Sequence, residues 1–254
     1  MALTRLGLVN RIRLDEAFND TGIVSDASLY LLLTEATVDL CRRGKAFILN
    51  GTIDAVASQQ EYVLSGASPV LTNFLDIDWE AGGIYYKQTS TSYKYHPVNF
   101  RIMTIPQLDM EYPGWRTATA TDSPIALYTG YNSSGYLVLG AYPAPESSTP
   151  DYVVHYLGRG TDMSGDTHYP FTGSTTVLTH LEPFHPAIAY YCLEVLYRTK
   201  IGGAEGKSKA DEYLALYLKM ASEMKESQER LFYAEDNSRM LEAQLLSQQS
   251  FGSL

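Results

Sequence analysis

Three things are scarce in this chain of 254 residues: cysteine, positive charge and long apolar runs. Only two cysteines occur, Cys41 and Cys192, each inside an apolar stretch of helical appearance. Two such thiols supply neither a disulfide framework nor a cysteine-pair zinc pattern, and they read as small buried hydrophobes. Lysine and arginine number 19 against 29 aspartates and glutamates, a formal net charge of -10. That balance excludes a protein that grips nucleic-acid phosphates or an anionic membrane by charge. No apolar run approaches the roughly 18–20 residues of a membrane-crossing helix. Charges interrupt every apolar stretch of MALTRLGLVNRIRLDEAF, so no signal peptide is expected there. Without a secretory signal, the Asn-x-Ser/Thr triplets at Asn19 and Asn132 carry no expectation of glycosylation. A soluble, intracellular product is expected.

Catalytic motifs are equally sparse. His180-Leu-Glu182-Pro-Phe-His185 superficially resembles a metal motif, but Pro183 and Pro186 prevent the continuous helix that would bring two histidines to one face. His185, followed by proline, reads as part of a helix entry. Asp76-Ile-Asp78-Trp-Glu80 fails as a calcium loop, because Ala81 and Lys87 stand where the turn glycine and closing glutamate belong. On an extended strand its three carboxylates, Asp76, Asp78 and Glu80, share one side and form a candidate acidic face. Gly202-Gly203-Ala-Glu-Gly206 lies between two helices and reads as their connection. There is no Gly-x-Ser-x-Gly elbow and no glycine-rich phosphate loop, and His96, His155 and His168 are scattered without a partner. The expectation is a non-enzymatic protein with no catalytic residue, no cofactor and no metal.

Apolar residues make up 45% of the chain, enough for a substantial core, and tyrosine is abundant, at 20 residues. Tyrosine suits half-buried strands and interfaces, where the ring packs and the hydroxyl stays wet. Residues 1–45 have helical periodicity. A first run begins at Leu3 or Thr4, with Leu6, Val9 and Ile12 on or near one face, and ends near Asn19-Asp20. A second, capped by Ser25 or Asp26, carries Leu29, Leu32, Leu33, Ala36 and Leu40 and closes at Arg42, Arg43 and Gly44. Between 46 and 183, turn signals such as Asn50-Gly51 and Ser134-Gly135 separate runs of strand character at 59–64, 70–80, 84–89, 125–130, 135–141 and 151–158. A helical turn is expected around Ile105–Leu108. The strand-like runs YLVLGAY and DYVVHYL flank Pro143-Ala-Pro145 and read as a hairpin with its tip at Glu146 to Thr149. Helical periodicity returns over 184–248. Pro186 opens one helix bearing Ile188, Cys192, Val195 and Leu196, and a long one from about Glu205 carries Ala210, Tyr213, Leu214, Tyr217, Met220, Ala221 and Met224 to about Leu231.

The expected fold is therefore α+β. A helical bundle is formed by N- and C-terminal helices (1–45 and 184–248), with an inserted antiparallel β-sandwich or barrel (46–183) and a polar C-terminal tail (249–254).

In order along the chain, Gln60-Glu61-Tyr62-Val63-Leu64, Leu108-Asp109 with the Trp115 region, Ser123-Pro124-Ile125-Ala126-Leu127-Tyr128, Leu137 to Pro145, Tyr152 to Tyr156 and Glu182 to Tyr197 resemble the head-to-tail adaptor (connector) proteins of tailed bacteriophages. Ser123 departs from that pattern, which usually has glycine before the proline. The resemblance implies a structural virion protein, made in the host cytoplasm. It would form a ring, commonly twelvefold, between the portal protein and a downstream tail or nozzle protein, continuing a channel through which double-stranded DNA passes without specific binding. Tyr213, Tyr217, Met224, Leu231, Phe232, Leu241, Leu245, Phe251, Glu146 and Ser147 are the candidate interface residues on this reading, and Asp76, Asp78 and Glu80 the candidate acidic lumen face. The residues after about Ser238 are expected to order on contact with the portal. The alternative is a carbohydrate- or protein-binding β module of a phage tail, stacking ligands on exposed tyrosines and on Trp79 or Trp115.

Overall fold

The computed structural model describes residues 2–66, 69–81, 83–87, 101–122, 124–148 and 151–251, with side chains described up to 232 and Lys87 excepted. In chain order, α1 (Arg5–Arg13) and α2 (Asp26–Arg43) precede β1 (Ile48–Asp54), β2 (Glu61–Val63), β3 (Phe74–Ile77) and β4 (Ile84–Lys87). Next come β5 (Arg101–Thr104), α3 (Ile105–Glu111), β6 (Ala126–Tyr131), β7 (Leu137–Tyr142) and β8 (Asp151–Gly158). The chain continues with α4 (His185–Leu196) and α5 (Gly203–Phe251). It divides into a helical unit, Met1–Phe47 with Arg159–Leu254, and a β unit, Ile48–Gly158. The helical unit is thus discontinuous in sequence, and the segment 159–183, read from sequence as part of the β region, falls with the helices.

Within the helical unit the caps follow from local chemistry. Thr4 Oγ1 accepts from the Gly7 N–H and starts α1, and Ser25 accepts from the Ser28 N–H and starts α2. The buried face of α1 is Leu8, Val9 and Ile12; Leu6, expected on that face, is exposed. In α2 the buried residues Leu29, Leu33, Ala36, Thr37, Leu40 and Cys41 keep helical spacing. Gly44 follows α2 without a left-handed conformation (φ -87). It is there for proximity, since a Cβ on Gly44 would lie 2.7 Å from the sulfur of Met224. Lys45 takes the left-handed position instead (φ 49), and its ammonium pairs with Glu229 at 3.2 Å.

Pro186 sits in the first turn of α4, which ends in a π-helical turn, Tyr197–Ile201. Helix α5 has 49 residues, about 70 Å at about 1.5 Å per residue, and runs well past the expected end near Leu231. Its inward stripe is Ala210, Tyr217, Ala221, Met224 and Gln228. Tyrosine hydroxyls bond the late helices to the early ones: Tyr191 to Glu35 at 2.9 Å, Tyr217 to Asp39 at 2.5 Å, and both Tyr197 and Tyr213 to Asp15. Cys41 and Cys192 are free and buried, and burial pushes the Cys41 thiol up to about 12 and that of Cys192 upward as well. Both stay protonated and pack as hydrophobes.

The β unit holds two four-stranded sheets. In the first, β8 is central, with β1 on one side and β3 and β4 both paired along the other; the second runs β2-β7-β6-β5. One core cluster takes Ile53, Tyr152, Val154 and Tyr156 from the first sheet and Tyr62, Leu127, Leu139 and Ala141 from the second. Among the described residues neither sheet closes into a barrel.

Two expectations are corrected. The β region is not wholly antiparallel: β5 and β6 pair in parallel, Arg101 opposite Ala126 through Thr104 opposite Thr129, because α3 and the loop after it carry the chain back to the same end. Nor do β7 and β8 form a hairpin. They belong to different sheets, so the Pro143–Pro145 link crosses from one sheet to the other. Prolines supply no ladder donors, and the carbonyls of Ala144 and Pro145 accept instead from the N–H groups of Thr121 and Ser58. The Tyr142–Pro143 peptide is cis. Among the described residues no helix is long and apolar enough to cross a membrane.

Candidate interaction surfaces

The candidate interface residues on α5 separate into two sets. Tyr217 and Met224 are buried in their own helical unit, and Tyr213 is half-buried with its hydroxyl on Asp15. Leu231 is 48% exposed, one turn beyond the last buried position, Gln228, and Phe232 is half-buried. Leu216 and Leu218 are further exposed apolar residues on α5. The side chains of Leu241, Leu245 and Phe251 lie outside the described residues, as does any ordering of the chain after Ser238 that depends on them.

Glu146 and Ser147 sit at the sheet-to-sheet crossing, where one carboxylate organises them. Asp122 accepts from the backbone N–H of Glu146 at 3.0 Å, from that of Ser147 at 2.8 Å and from the Ser147 hydroxyl at 2.6 Å. These bonds, that of the Ser147 hydroxyl first, hold the Asp122 carboxyl below its ordinary range. The hydroxyl of Tyr86 donates to the Asp122 carbonyl, and burial pushes this phenol up to about 12. Glu146 remains exposed. Nothing in the sequence around Asp122 advertises this anchoring role; its partners lie 24 and 25 residues away.

The acidic trio is not a single face. Strand β3 ends at Ile77, and Asp78, only 3% exposed, turns inward to accept from the N–H groups of Glu80 at 3.2 Å and Ala81 at 3.3 Å. An aspartate that caps its own turn wins over continued alternation. Asp76 and Glu80 stay exposed. The turn also presents Trp79, 49% exposed, whereas Trp115 is buried against Tyr128 and donates its indole N–H to Asp109 at 2.8 Å. Of the two tryptophans offered by the sequence as stacking platforms, only Trp79 is available for that role.

His185 does mark the entry to α4, but as a buried acceptor: its Nδ1 takes the N–H of Leu3 at 3.1 Å, and Tyr169 and Phe171 pack beside the ring. Burial lowers its pKa to about 4, so it is neutral at pH 7. No group of three or more histidine, cysteine, aspartate or glutamate side chains among the described residues is arranged to hold a metal ion. No family model matches this chain, and no curated protein matches it.

Proposed function

We propose that this chain is a head-to-tail adaptor of a tailed bacteriophage, a ring subunit between the portal and the tail. The observation that carries the reading is the order of the resembling elements along the chain, from Gln60-Glu61-Tyr62 through Leu137–Pro145 to the helix at Glu182–Tyr197. Support comes from a helical unit built from both chain ends with a β unit inserted between them. We read the two sheets as an open sandwich, since one core cluster draws on both. A ring repeats one heterologous contact, which requires complementary patches on each subunit. Among the described side chains of α5, Leu216, Leu218 and Leu231 are exposed large apolar residues available for it; Tyr217 and Met224 are already committed to the core. Asp76 and Glu80 remain for an acidic lumen wall, which would let DNA pass without adhering.

Electron microscopy of the purified full chain, alone and mixed with portal protein, tests the proposal. Rings with a central hole are expected in at least one of the two samples. Monomers in both overturn it. In a ring reconstruction, a lumen wall with more lysine and arginine than aspartate and glutamate overturns the acidic-channel part alone.

A further inference from the structure

A second row of residues runs along α5 beside its buried stripe. Leu216, Met220, Glu223, Ser227 and Leu231 follow one another at helical spacing, about a quarter turn round the axis from Gln228. Leu216 is 39% exposed and Leu231 48%, Glu223 is exposed, and Met220 and Ser227 are half-buried. An open groove of about 410 Å³ follows this flank, lined among the described residues by Glu223, Glu226, Ser227, Arg230 and Leu231. Apolar side chains and charges of both signs thus share one exposed flank of the helix.

This flank lies where α5 outruns α2. Helix α2 ends at Arg43, Gly44 lies against Met224, and Lys45 pairs with Glu229. The α5 backbone continues helical to Phe251, about 33 Å past Glu229 at about 1.5 Å per residue. On the flank itself Arg230 pairs with Glu226 at 3.6 Å, and Lys219 with Glu223 at 3.9 Å, all four side chains being more than half exposed. Exposed pairs of this kind, one turn apart on a single helix, hold little energy and exchange partners readily.

We infer that this flank of α5 pairs with the same flank of a second copy of the chain, antiparallel and centred on Ser227. A twofold axis at that level sets Ser227 against Ser227, a small residue where the two backbones come closest. Arg230 of one copy then lies between the levels of Glu223 and Glu226 of the second, on the same side of the seam, and symmetry makes this match twice. Leu231 of one copy comes within about one turn of Met220 of the second, again twice. That self-complementarity of charge and apolar surface is what selects a second copy as the occupant. A parallel pair sets Arg230 against Arg230 and Glu223 against Glu223, like charges that repel. It also brings the two helical units side by side, whereas the antiparallel pair keeps them at opposite ends. The pairing does not rest on the adaptor reading. Because it covers Leu216 and Leu231, which that reading gives to the ring contact, the dimer is a form of the free subunit that ring assembly must open.

Sedimentation velocity of the full chain across a dilution series tests the pairing. A monomer–dimer equilibrium is expected in the parent. Arg230→Glu, and separately Glu223→Arg with Glu226→Arg, place like charges across the seam and should each weaken dimerisation by at least about tenfold. Mixed together, the two variants should form a heterodimer, because both charge matches are then restored. All three positions are exposed, and circular dichroism checks that each variant keeps its helix content. Cross-linking fixes the direction. Ser227→Cys should form a disulfide-linked dimer on mild oxidation, whereas Leu216→Cys should not, since two residues at position 216 lie about 33 Å apart along an antiparallel pair. A monomer at every concentration, variants that dimerise like the parent, a mixture that stays monomeric, or equal cross-linking at both positions overturns the inference. None of these outcomes bears on whether portal protein assembles the chain into rings, so the adaptor reading stands or falls separately.

Discussion

The hydroxyl of Tyr213, on α5, donates to Oδ2 of Asp15 at 3.0 Å, across 198 residues of sequence. The other oxygen of the same carboxylate takes the Tyr197 hydroxyl at 2.7 Å and the Ala17 N–H at 3.1 Å. The rings of Tyr190, Tyr213 and Tyr197 stack in sequence, and Phe18 closes the row edge-on at 5.0 Å from Tyr197. Asp15 is therefore a junction between the N-terminal segment and both late helices. Asp15→Ala orphans two hydroxyls and is expected to destabilise the helical unit by about 2 kcal/mol, against about 1 kcal/mol for Tyr213→Phe. Urea denaturation followed by far-ultraviolet circular dichroism measures both. Equal effects would mean that the carboxylate serves Tyr213 alone.

The same contacts set an alkaline limit. Burial, then the Asp15 hydrogen bond and charge, push the Tyr213 phenol up to about 12, and Tyr197 and Tyr217 are raised too. A phenol raised above its unfolded value of about 10 adds stability that is complete below pH 10 and lost as the pH climbs toward the folded value. Unfolding free energy should accordingly fall above about pH 10, and less steeply in Tyr213→Phe. Titration at fixed urea, read by circular dichroism, compares the slopes.

His185 sets the acid side. Its folded pKa, about 4, is below its ordinary 6.5, because burial disfavours the imidazolium. The fold thus prefers the neutral ring: stability is complete above about pH 6.5 and erodes as the pH falls toward 4, by at most about 3 kcal/mol. His185→Gln keeps a hydrogen-bond acceptor but does not titrate, so its stability should stay nearly flat over that window. Parallel slopes for the two proteins would remove His185 as the cause.

The helices were legible because their signals are local. Thr4 and Ser25 cap where capping chemistry places them, and the apolar periods of α2 and α4 coincide with their buried faces. The sheets were legible as strand-like runs but not as partners. Pairing of β5 with β6 and the crossing from β7 to β8 are decided by packing between distant segments, to which periodicity is blind. Asn50-Gly51 was read as a turn, yet both residues lie within β1; the glycine is needed because Leu71 would come within 2.5 Å of a Cβ there. Asp78 and Trp115 show the same limit at the surface. Whether an acid caps its own turn, or an indole faces outward, depends on neighbours that the local sequence does not name.

Asp122 is expected to control order at the sheet-to-sheet crossing. Asp122→Ala leaves the N–H groups of Glu146 and Ser147 without their acceptor. Amide hydrogen exchange at these two residues should accelerate by about tenfold or more, while the paired amides of β7 and β8 change little. Exchange resolved by nuclear magnetic resonance distinguishes this from a general loss of stability, in which the β7 and β8 amides would accelerate together with the crossing.

Gly83 lies against the indole of Trp79, and its replacement separates backbone conformation from ring contact. In Gly83→Ala the new methyl meets Cε3 of Trp79, and an L-residue must hold φ +67. The strain of the left-handed conformation alone is expected to destabilise the β unit by about 1 kcal/mol. Displacing the indole should also red-shift its emission and raise its acrylamide quenching, because the ring loses the backbone surface that shields one side. Trp79→Ala combined with Gly83→Ala removes the clash but keeps the unfavourable φ. The double variant should then recover the part of the stability loss due to the ring, so its cost falls short of the two single costs added together. Strict additivity in a double-mutant cycle, measured by urea denaturation, would show that the indole does not rest on Gly83 in solution.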